Sequence, residues 1–299
     1  MNVARATLSW RLRRGEALVV GGRGGEASCT RRGFGRQEAW VLGRGGGGRV
    51  AVTTRAVSGS SNVLVLEGDS RVGVEVVKRF LAQGDEWNVS ATVGGSNGKA
   101  KRYADALGAL PVDLHDASSE AVANTSPGVI VSCIDADGGC GTVHERSRVF
   151  VDAALEKGGV TYVFISSIGA GESSDALPGP AKETMKPIMS DKYLAEQYLQ
   201  SRSGETGSGL EHLIVRCAPL NDLLDDSEVG KPTLTDSHMA YGWITPAGIG
   251  DLVHNCLASD KLALQSTYSA VDANTIFITN PFLRPLESHE SVPFDSIVL

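Results

Sequence analysis

A short turn of small and charged residues follows the first apolar run of the chain. Residues 62–66 (NVLVL) are predicted to form a β-strand, and the turn 67–73 (EGDSRVG) leads from them into a helical pattern. Where a strand enters a helix, glycines let backbone N–H groups approach a pyrophosphate at the helix N-terminus. We therefore expect this turn to contact the phosphates of a dinucleotide through Gly68, Ser70, Arg71, Val72 and Gly73.

The carboxylates of the same turn oppose that chemistry. Glu67 or Asp69 would place a negative charge near the phosphates, at a cost on the order of 1 kcal/mol or more in a partly buried site. Arg71 is the nearest residue in sequence that would offset this repulsion. Two interpretations stay open: a turn that still binds a dinucleotide, and a vestigial turn that does not.

The residues after the second predicted strand, 88–93, bear on the choice between NAD and NADP. A carboxylate at this strand end binds the 2′-hydroxyl of NAD, whereas a cation accepts the 2′-phosphate of NADP. Gly94 occupies the usual position, and Lys99, Lys101 and Arg102 follow shortly. The pattern favours NADP, although the same cations also suit a solvated helix face.

Strand and helix patterns alternate along the remaining chain. Strands that are apolar on both faces, separated by amphipathic helices, predict a parallel sheet with helices on both faces, a doubly wound α/β fold. The segment 217–243 is irregular and acidic, and no internal repeat interrupts the pattern. The predicted strands are 62–66, 88–93, 109–113, 128–134, 160–166, 212–216 and a last one at 267–271 or 275–278; the predicted helices are 71–83, 99–107, 143–157, 186–202 and one that starts at Thr245-Pro246.

Four segments carry a family resemblance that spans roughly residues 62–280. They are the turn 67–73, the segment 164–169 (FISSIG), the segment 192–196 (KYLAE) and the segment 212–220 (HLIVRCAPL). In this order they resemble the atypical short-chain dehydrogenase/reductase group, the NmrA-like NAD(P)-binding Rossmann proteins. The resemblance implies cofactor contacts from Asp113 and Leu114 near the adenine, and from Ser132, Ser166, Lys192 and Pro219.

The loop of that family is G-x-x-G-x-x-G, and this chain departs from it. The third glycine falls on Gly73 and the second on Ser70, while the first falls on Glu67 or, in a loop one residue shorter, on Gly68. The phosphate-binding pattern is therefore degraded, although its place in the chain is the expected one.

The resemblance also implies a catalytic position at the end of the fifth strand. In reductases of this superfamily a Tyr four residues before a Lys serves as the acid, the Lys lowers the pKa of the phenol, and a Ser orients the substrate carbonyl. Ser167 and Lys192 match the Ser and the Lys, but Ile188 replaces the Tyr and has no proton to give. Tyr193 adjoins Lys192 and points off the wrong side of the helix.

Three hypotheses follow from the missing Tyr. The protein is an NADP-dependent oxidoreductase that uses another acid, such as a residue of the segment 217–243, on an unknown small-molecule substrate. Alternatively, it binds the dinucleotide without turnover, or it has lost the cofactor; in both of these cases it acts on a protein partner as a non-enzymatic assembly or regulatory factor.

The first sixty residues differ in composition from the rest of the chain. Residues 1–61 contain eleven Arg and three Glu with neither Lys nor Asp, a balance of +8 that leaves −15 for residues 62–299. An Arg-rich, acid-poor start without a long apolar stretch is typical of a mitochondrial or plastid transit peptide. We expect a transit peptide at 1–60, with the chloroplast favoured over the mitochondrion, an NAD(P)-binding domain at 61–285 and a tail at 286–299.

Other functional classes are disfavoured by composition. The acidic body is a poor partner for a nucleic-acid backbone, and no apolar run is long enough to span a membrane. The six His show no zinc-ligand spacing, so no metal site is predicted. The five Cys are irregularly spaced, which favours free thiols.

Overall fold

The computed structural model describes residues 61–94, 101–136, 141–221, 231–258, 264–278 and 297–298, which all fall within one compact unit. The predicted transit peptide, Lys99 and most of the predicted tail lie outside the described residues. The helices within these ranges are all too short or too polar to cross a membrane.

The strands of the described residues form one large and one small sheet. They are β1 (Ser61–Leu66), β2 (Trp87–Val93), β3 (Asp113–Asp116), β4 (Val129–Ser132), β5 (Val160–Ser167), β6 (Leu210–Cys217), β7 (Pro232–Thr235), β8 (Ala240–Tyr241), β9 (Ser266–Asp272), β10 (Phe277–Ile278) and β11 (Ile297–Val298).

The helices connect successive strands. They are α1 (Arg71–Leu81), α2 (Lys101–Gly108), α3 (Ser119–Thr125), α4 (Val143–Lys157), α5 (Gly179–Ser203) and α6 (Pro246–Ala258), with short 3₁₀ turns at Gly84–Glu86 and Gly171–Ala176.

The large sheet has the order β11-β7-β9-β6-β5-β4-β1-β2-β3. From β3 to β9 all neighbouring strands are parallel, and β7 and β11 add an antiparallel edge. The chain winds outward from β1 in one direction and from β4 in the other, so the strand order reverses between these two strands. This confirms the predicted doubly wound, mostly parallel α/β fold.

Alternating side chains of the strands build a core on each face of the sheet. Val63 and Val65 of β1 pack in the cluster that contains α1, α2 and α6, whereas Leu64 and Leu66 pack in the cluster with α3 and α4. Because successive side chains of a strand point to opposite faces, a strand covered on both sides must be apolar throughout. This is the reason why the apolar run NVLVL predicts a β-strand.

Two predicted elements were wrong in their bounds, and one helix was missed. The third strand lies at Asp113–Asp116 rather than 109–113, and the helix α3 that follows it was not predicted. The helix predicted from residue 186 begins at Gly179, so Pro187 lies inside α5. Proline is tolerated in a first turn but disfavoured in a helix interior, which is why the sequence alone indicated a later start.

The segment 217–243 is less irregular than predicted. It contributes β7 to the large sheet and β8 to the small one, while residues 222–230 lie outside the described residues. Both candidates for the last strand are present, since β9 extends the parallel sheet and β10 pairs with β8.

Candidate functional site

A cavity of about 980 Å³ opens at the carboxyl ends of the central strands. Its walls come from the β1–α1 turn, from residues 133–136 after β4, from residues 165–168 at the end of β5 and from residues 217–220 after β6. Ligands of doubly wound sheets bind at this edge, where the strand order reverses. The volume is at the upper end of the range for small-molecule and cofactor sites.

The N-terminus of α1 borders this cavity through Ser70, Arg71 and Val72. Ser70 caps the helix, because its Oγ accepts a hydrogen bond of 3.0 Å from the N–H of Gly73. A Cβ at Gly73 would lie 2.3 Å from the carbonyl oxygen of Glu67, so no side chain fits there. The turn thus presents a helix N-terminus to the cavity, and this arrangement fits the phosphates of a dinucleotide.

The carboxylate of Glu67 is paired inside the protein. Glu67 is 4% exposed, and its Oε1 forms a short ion pair with Arg146 of α4. Its Oε2 accepts a hydrogen bond of 3.3 Å from the N–H of Asp135, whose carbonyl oxygen is bound by Arg146. Arg146, to which no sequence motif pointed, therefore neutralises the charge that was expected to repel the phosphates.

Asp69 brings a carboxylate to the end of β2. Its Oδ1 accepts a hydrogen bond of 2.9 Å from the N–H of Gly94, and the residue is 5% exposed. The sequence indicated no carboxylate at this ribose position, because Asp69 follows β1 in the chain and not β2. Arg102 also lines the cavity, with its guanidinium 4.5 Å from the ring centroid of Tyr103.

Lys192 joins two polar groups across the cavity floor. Its Nζ donates a hydrogen bond of 2.9 Å to Ser167 Oγ and lies 3.0 Å from Asp135 Oδ1. Burial alone would raise the pKa of the Asp135 carboxyl, but the Lys192 ammonium and the N–H of Ala136 together hold that pKa below its usual range. The predicted pair Ser167 and Lys192 is thus brought together, and Asp135 joins it as a third member.

Ser166 has a different environment from Ser167. Its hydroxyl donates to Glu196, whose carboxylate is bound by Nε and Nη2 of the buried Arg216 at 3.1 and 2.7 Å. Because side chains alternate along β5, Ser167 lies toward Lys192 while Ser166 helps to fasten α5 to β6. The segment KYLAE therefore combines a cavity residue, Lys192, with a structural one, Glu196.

Ile188 and Tyr193 provide no acid in the cavity. Ile188 packs against the apolar core, and the hydroxyl of Tyr193 lies 3.5 Å from Glu172. Tyr241, in the segment 217–243, does line the cavity, and burial raises the pKa of its phenol. The segment 217–243 therefore contributes a Tyr to the wall of the cavity, although no motif in the sequence pointed to this residue.

Apolar side chains form the remaining wall of the cavity. Burial raises the pKa of the Cys217 thiol to about 12 and that of the Cys133 thiol further, so both are neutral thiols. In the parts of the chain that the structure describes, no group of three or more His, Cys, Asp or Glu side chains is placed to hold a metal ion. The apolar wall consists of Ile168, Leu177, Ala181, Met185, Met189, Leu220 and Ile249.

Of the predicted cofactor residues, Ser166 and Pro219 also line the cavity, whereas Gly68, Gly73, Asp113, Leu114 and Ser132 do not. Asp113 is exposed at the start of β3, and Leu114 lies in a separate shallow pocket. Ser132 is fully buried near Tyr162. The missed residue Asp135 had one usable signal, its position directly after a buried parallel strand.

Fold and site together define an NAD(P)-binding Rossmann domain. Residues 68–260 match the NAD(P)H-binding family, and the chain belongs to that family. A comparison with curated proteins found no match.

Solved structures with this fold include several oxidoreductases. The chain resembles ChuY, an anaerobillin reductase from Escherichia coli O157:H7, with 23% identity, a TM-score of 0.54, and coverage of 76% of this chain and 100% of that chain. It also resembles the oxidoreductase YlbE from Lactococcus lactis, with 14% identity, a TM-score of 0.54, and coverage of 72% and 92%. A Rossmann-fold NAD(P)-binding family protein from Shigella flexneri has 15% identity, a TM-score of 0.51, and coverage of 75% and 99%.

Proposed function

We propose that the protein is an NADP-dependent oxidoreductase that acts on an apolar small molecule with a carbonyl group or a polarised double bond. The observation that carries the proposal is the buried Lys192, which holds Ser167 at 2.9 Å and Asp135 at 3.0 Å on the floor of a cavity at the switch in strand order. A bound nicotinamide supplies or accepts a hydride.

The side chains of the chain itself provide the polar part of the chemistry. Ser167 would orient a substrate carbonyl, and the Lys192 ammonium would stabilise negative charge that develops on its oxygen. Asp135 fixes the position of the ammonium. Tyr241 is our candidate for the proton donor in place of the missing Tyr, because it lines the same cavity and supplies the same kind of hydroxyl as the usual donor.

The apolar part of the cavity wall indicates the substrate class. Met185 and Met189 of α5, together with Leu177 and Leu220, offer a flexible apolar surface. A polar substrate would lose its hydration there without gaining hydrogen bonds. This supports a largely apolar substrate with a single polar group directed at Ser167.

The preference for NADP rests on two cations. Arg71 and Arg102 line the same cavity as Gly94, the residue beside which the ribose is expected, and would bind a 2′-phosphate. Asp69 opposes them with one buried carboxylate. We propose that the two cations outweigh it.

The proposal is tested by titrating the full chain with NADPH and NADH and following the fluorescence of Trp87 and Trp243. We expect tighter binding of NADPH than of NADH, and turnover of apolar carbonyl substrates that Lys192→Met abolishes without weakening NADPH binding more than a few-fold. No binding of either dinucleotide up to about 1 mM would overturn the proposal.

A non-enzymatic assembly or regulatory factor is the second candidate. Ile188 at the position of the usual acid and the paired Glu67 in the phosphate turn both favour it. Tight binding of NADPH without turnover of any substrate, together with a protein partner whose affinity changes with NADPH, would support this alternative.

We further propose that residues 1–60 are a plastid transit peptide, because of their eleven Arg and their lack of Asp and Lys. A fluorescent protein fused behind residues 1–60 should enter plastids, and a fusion to residues 61–299 should not. Accumulation of the first fusion in mitochondria would reassign the compartment.

A further inference from the structure

We propose that Arg146 is a phosphate-binding residue of the dinucleotide site and that the carboxylate of Glu67 holds it as an internal substitute for the phosphate. The inference rests on the proposed function, since it requires that a dinucleotide binds in the cavity. It assigns a role to a helix residue that lies far from the phosphate turn in sequence.

The path of the Glu67 side chain is the first argument. A Cβ built on Gly94 would lie 3.0 Å from Cγ of Glu67, so the side chain passes the end of β2. Its carboxylate then reaches the N–H of Asp135, after β4, and the guanidinium of Arg146. The side chain therefore spans the carboxyl end of β1 from one neighbouring strand to the other, at the crevice that a dinucleotide crosses.

The backbone of Glu67 is the second argument. Its φ is 51°, in the left-handed region that favours glycine, and a residue with a Cβ is strained there. A glycine at this position would be unstrained and would leave the crevice open. The side chain compensates for the strain through its buried, charge-assisted contacts with Arg146.

The donors around this carboxylate are the third argument. A guanidinium and a backbone N–H are the groups that also bind phosphate oxygens. The Nε of Arg146 is buried and has no hydrogen-bond partner among the described residues, so Glu67 and the carbonyl oxygen of Asp135 do not use all the donors of the guanidinium. A phosphate that displaced Glu67 would find Arg146 already oriented, and the displacement would lower the apparent affinity for the dinucleotide.

The test uses the full chain with Glu67→Gln, Arg146→Gln, Arg146→Lys and the double variant Glu67→Gln/Arg146→Gln. Affinities for NADPH and for inorganic pyrophosphate are measured by calorimetry, and thermal unfolding is measured without ligand. Asp251→Asn is the matched control, because it removes a surface ion pair of 2.9 Å with Arg79 outside the cavity. Arg146→Lys keeps the positive charge and replaces Arg146→Gln in the comparison if Arg146→Gln does not fold.

We expect Glu67→Gln to bind NADPH about tenfold more tightly than the natural chain, a change of about 1.4 kcal/mol. It should also bind pyrophosphate more tightly and unfold at a lower temperature without ligand. The double variant Glu67→Gln/Arg146→Gln should lose the gain in affinity, and Asp251→Asn should leave the affinity unchanged.

Two outcomes would count against us, and they are distinguishable. In the first, the natural chain binds NADPH, the dissociation constant of Glu67→Gln is within twofold of the natural one, and Glu67→Gln unfolds at a lower temperature. The ion pair then only stabilises the fold, and this inference fails. If neither the natural chain nor any variant binds NADPH, the proposed function fails.

Discussion

The close approach of α1 to β1 makes Gly73→Ala a sensitive test of the phosphate turn. A Cβ at Gly73 would lie 2.3 Å from the carbonyl oxygen of Glu67 and 2.8 Å from Cα of Gly68. Both neighbours are backbone atoms, so no side chain can rotate away. To reach 3.4 Å, the lower limit of ordinary contact, α1 would have to move by about 1 Å. Its inner face, which includes Val77 and Phe80, is fully buried and would lose contacts.

Overpacking of this kind costs about 1–3 kcal/mol, and the backbone contacts place Gly73→Ala at the upper end. The matched control is Gly108→Ala at the end of α2, where a Cβ would meet nothing within 4 Å. Because both changes replace a helical glycine, the difference of about 3 kcal/mol between them isolates the clash. Urea unfolding of the full chain measures it, with Gly108→Ala expected to be neutral or up to about 1 kcal/mol more stable. Equal unfolding midpoints for the two variants would refute the packing argument.

Three further predictions concern charged groups. Glu196→Ala should lower the free energy of unfolding by about 3–5 kcal/mol, because it leaves the guanidinium of Arg216 buried without its main partner. The control Glu75→Ala on the surface should lower it by less than about 1 kcal/mol. Equal losses of the two variants in chemical unfolding would contradict this prediction. Burial lowers the pKa of His212 to about 4, so the unfolded chain takes up a proton first as the pH falls, and the free energy of unfolding should decrease below pH ~6.5 by up to about 1.4 kcal/mol per pH unit. His212→Gln should flatten that part of the pH profile, and an unchanged slope would show that another group causes the decrease in the free energy of unfolding. Asp69→Asn should tighten the binding of NADPH relative to NADH, because it removes a carboxylate beside the expected 2′-phosphate; an unchanged ratio of the two dissociation constants would show that the carboxylate lies away from the ribose.

The sequence predicted the elements whose side-chain pattern is local. β1, α1, α4 and β5 were expected close to their observed bounds, because runs such as NVLVL and VTYVFIS bury both faces. β3 and β7 are four residues long and partly polar, so their place depends on pairing with a neighbour rather than on their own pattern. The start of α5 was missed because Pro187 suggests a helix boundary that packing overrides.

The site was predicted where its residues belong to segments that carry the family resemblance. Ser167 and Lys192 were expected near each other from the fold resemblance, and their hydrogen bond of 2.9 Å agrees with that expectation. The pairing of Glu67 with Arg146 joins residues separated by 79 positions, and no spacing rule connects the turn after β1 with the first turn of α4. Side-chain contacts over such distances exist only once the strands have assembled.

The sequence by itself determined the order of strands and helices, the location of the phosphate turn and the loss of the usual Tyr at Ile188, because these depend on hydrophobic pattern and residue type. Tertiary structure alone decided how the charges of the turn are compensated. It placed Asp69 at the end of β2 and Glu67 against Arg146, since burying a carboxylate requires partners that only the folded sheet brings within reach.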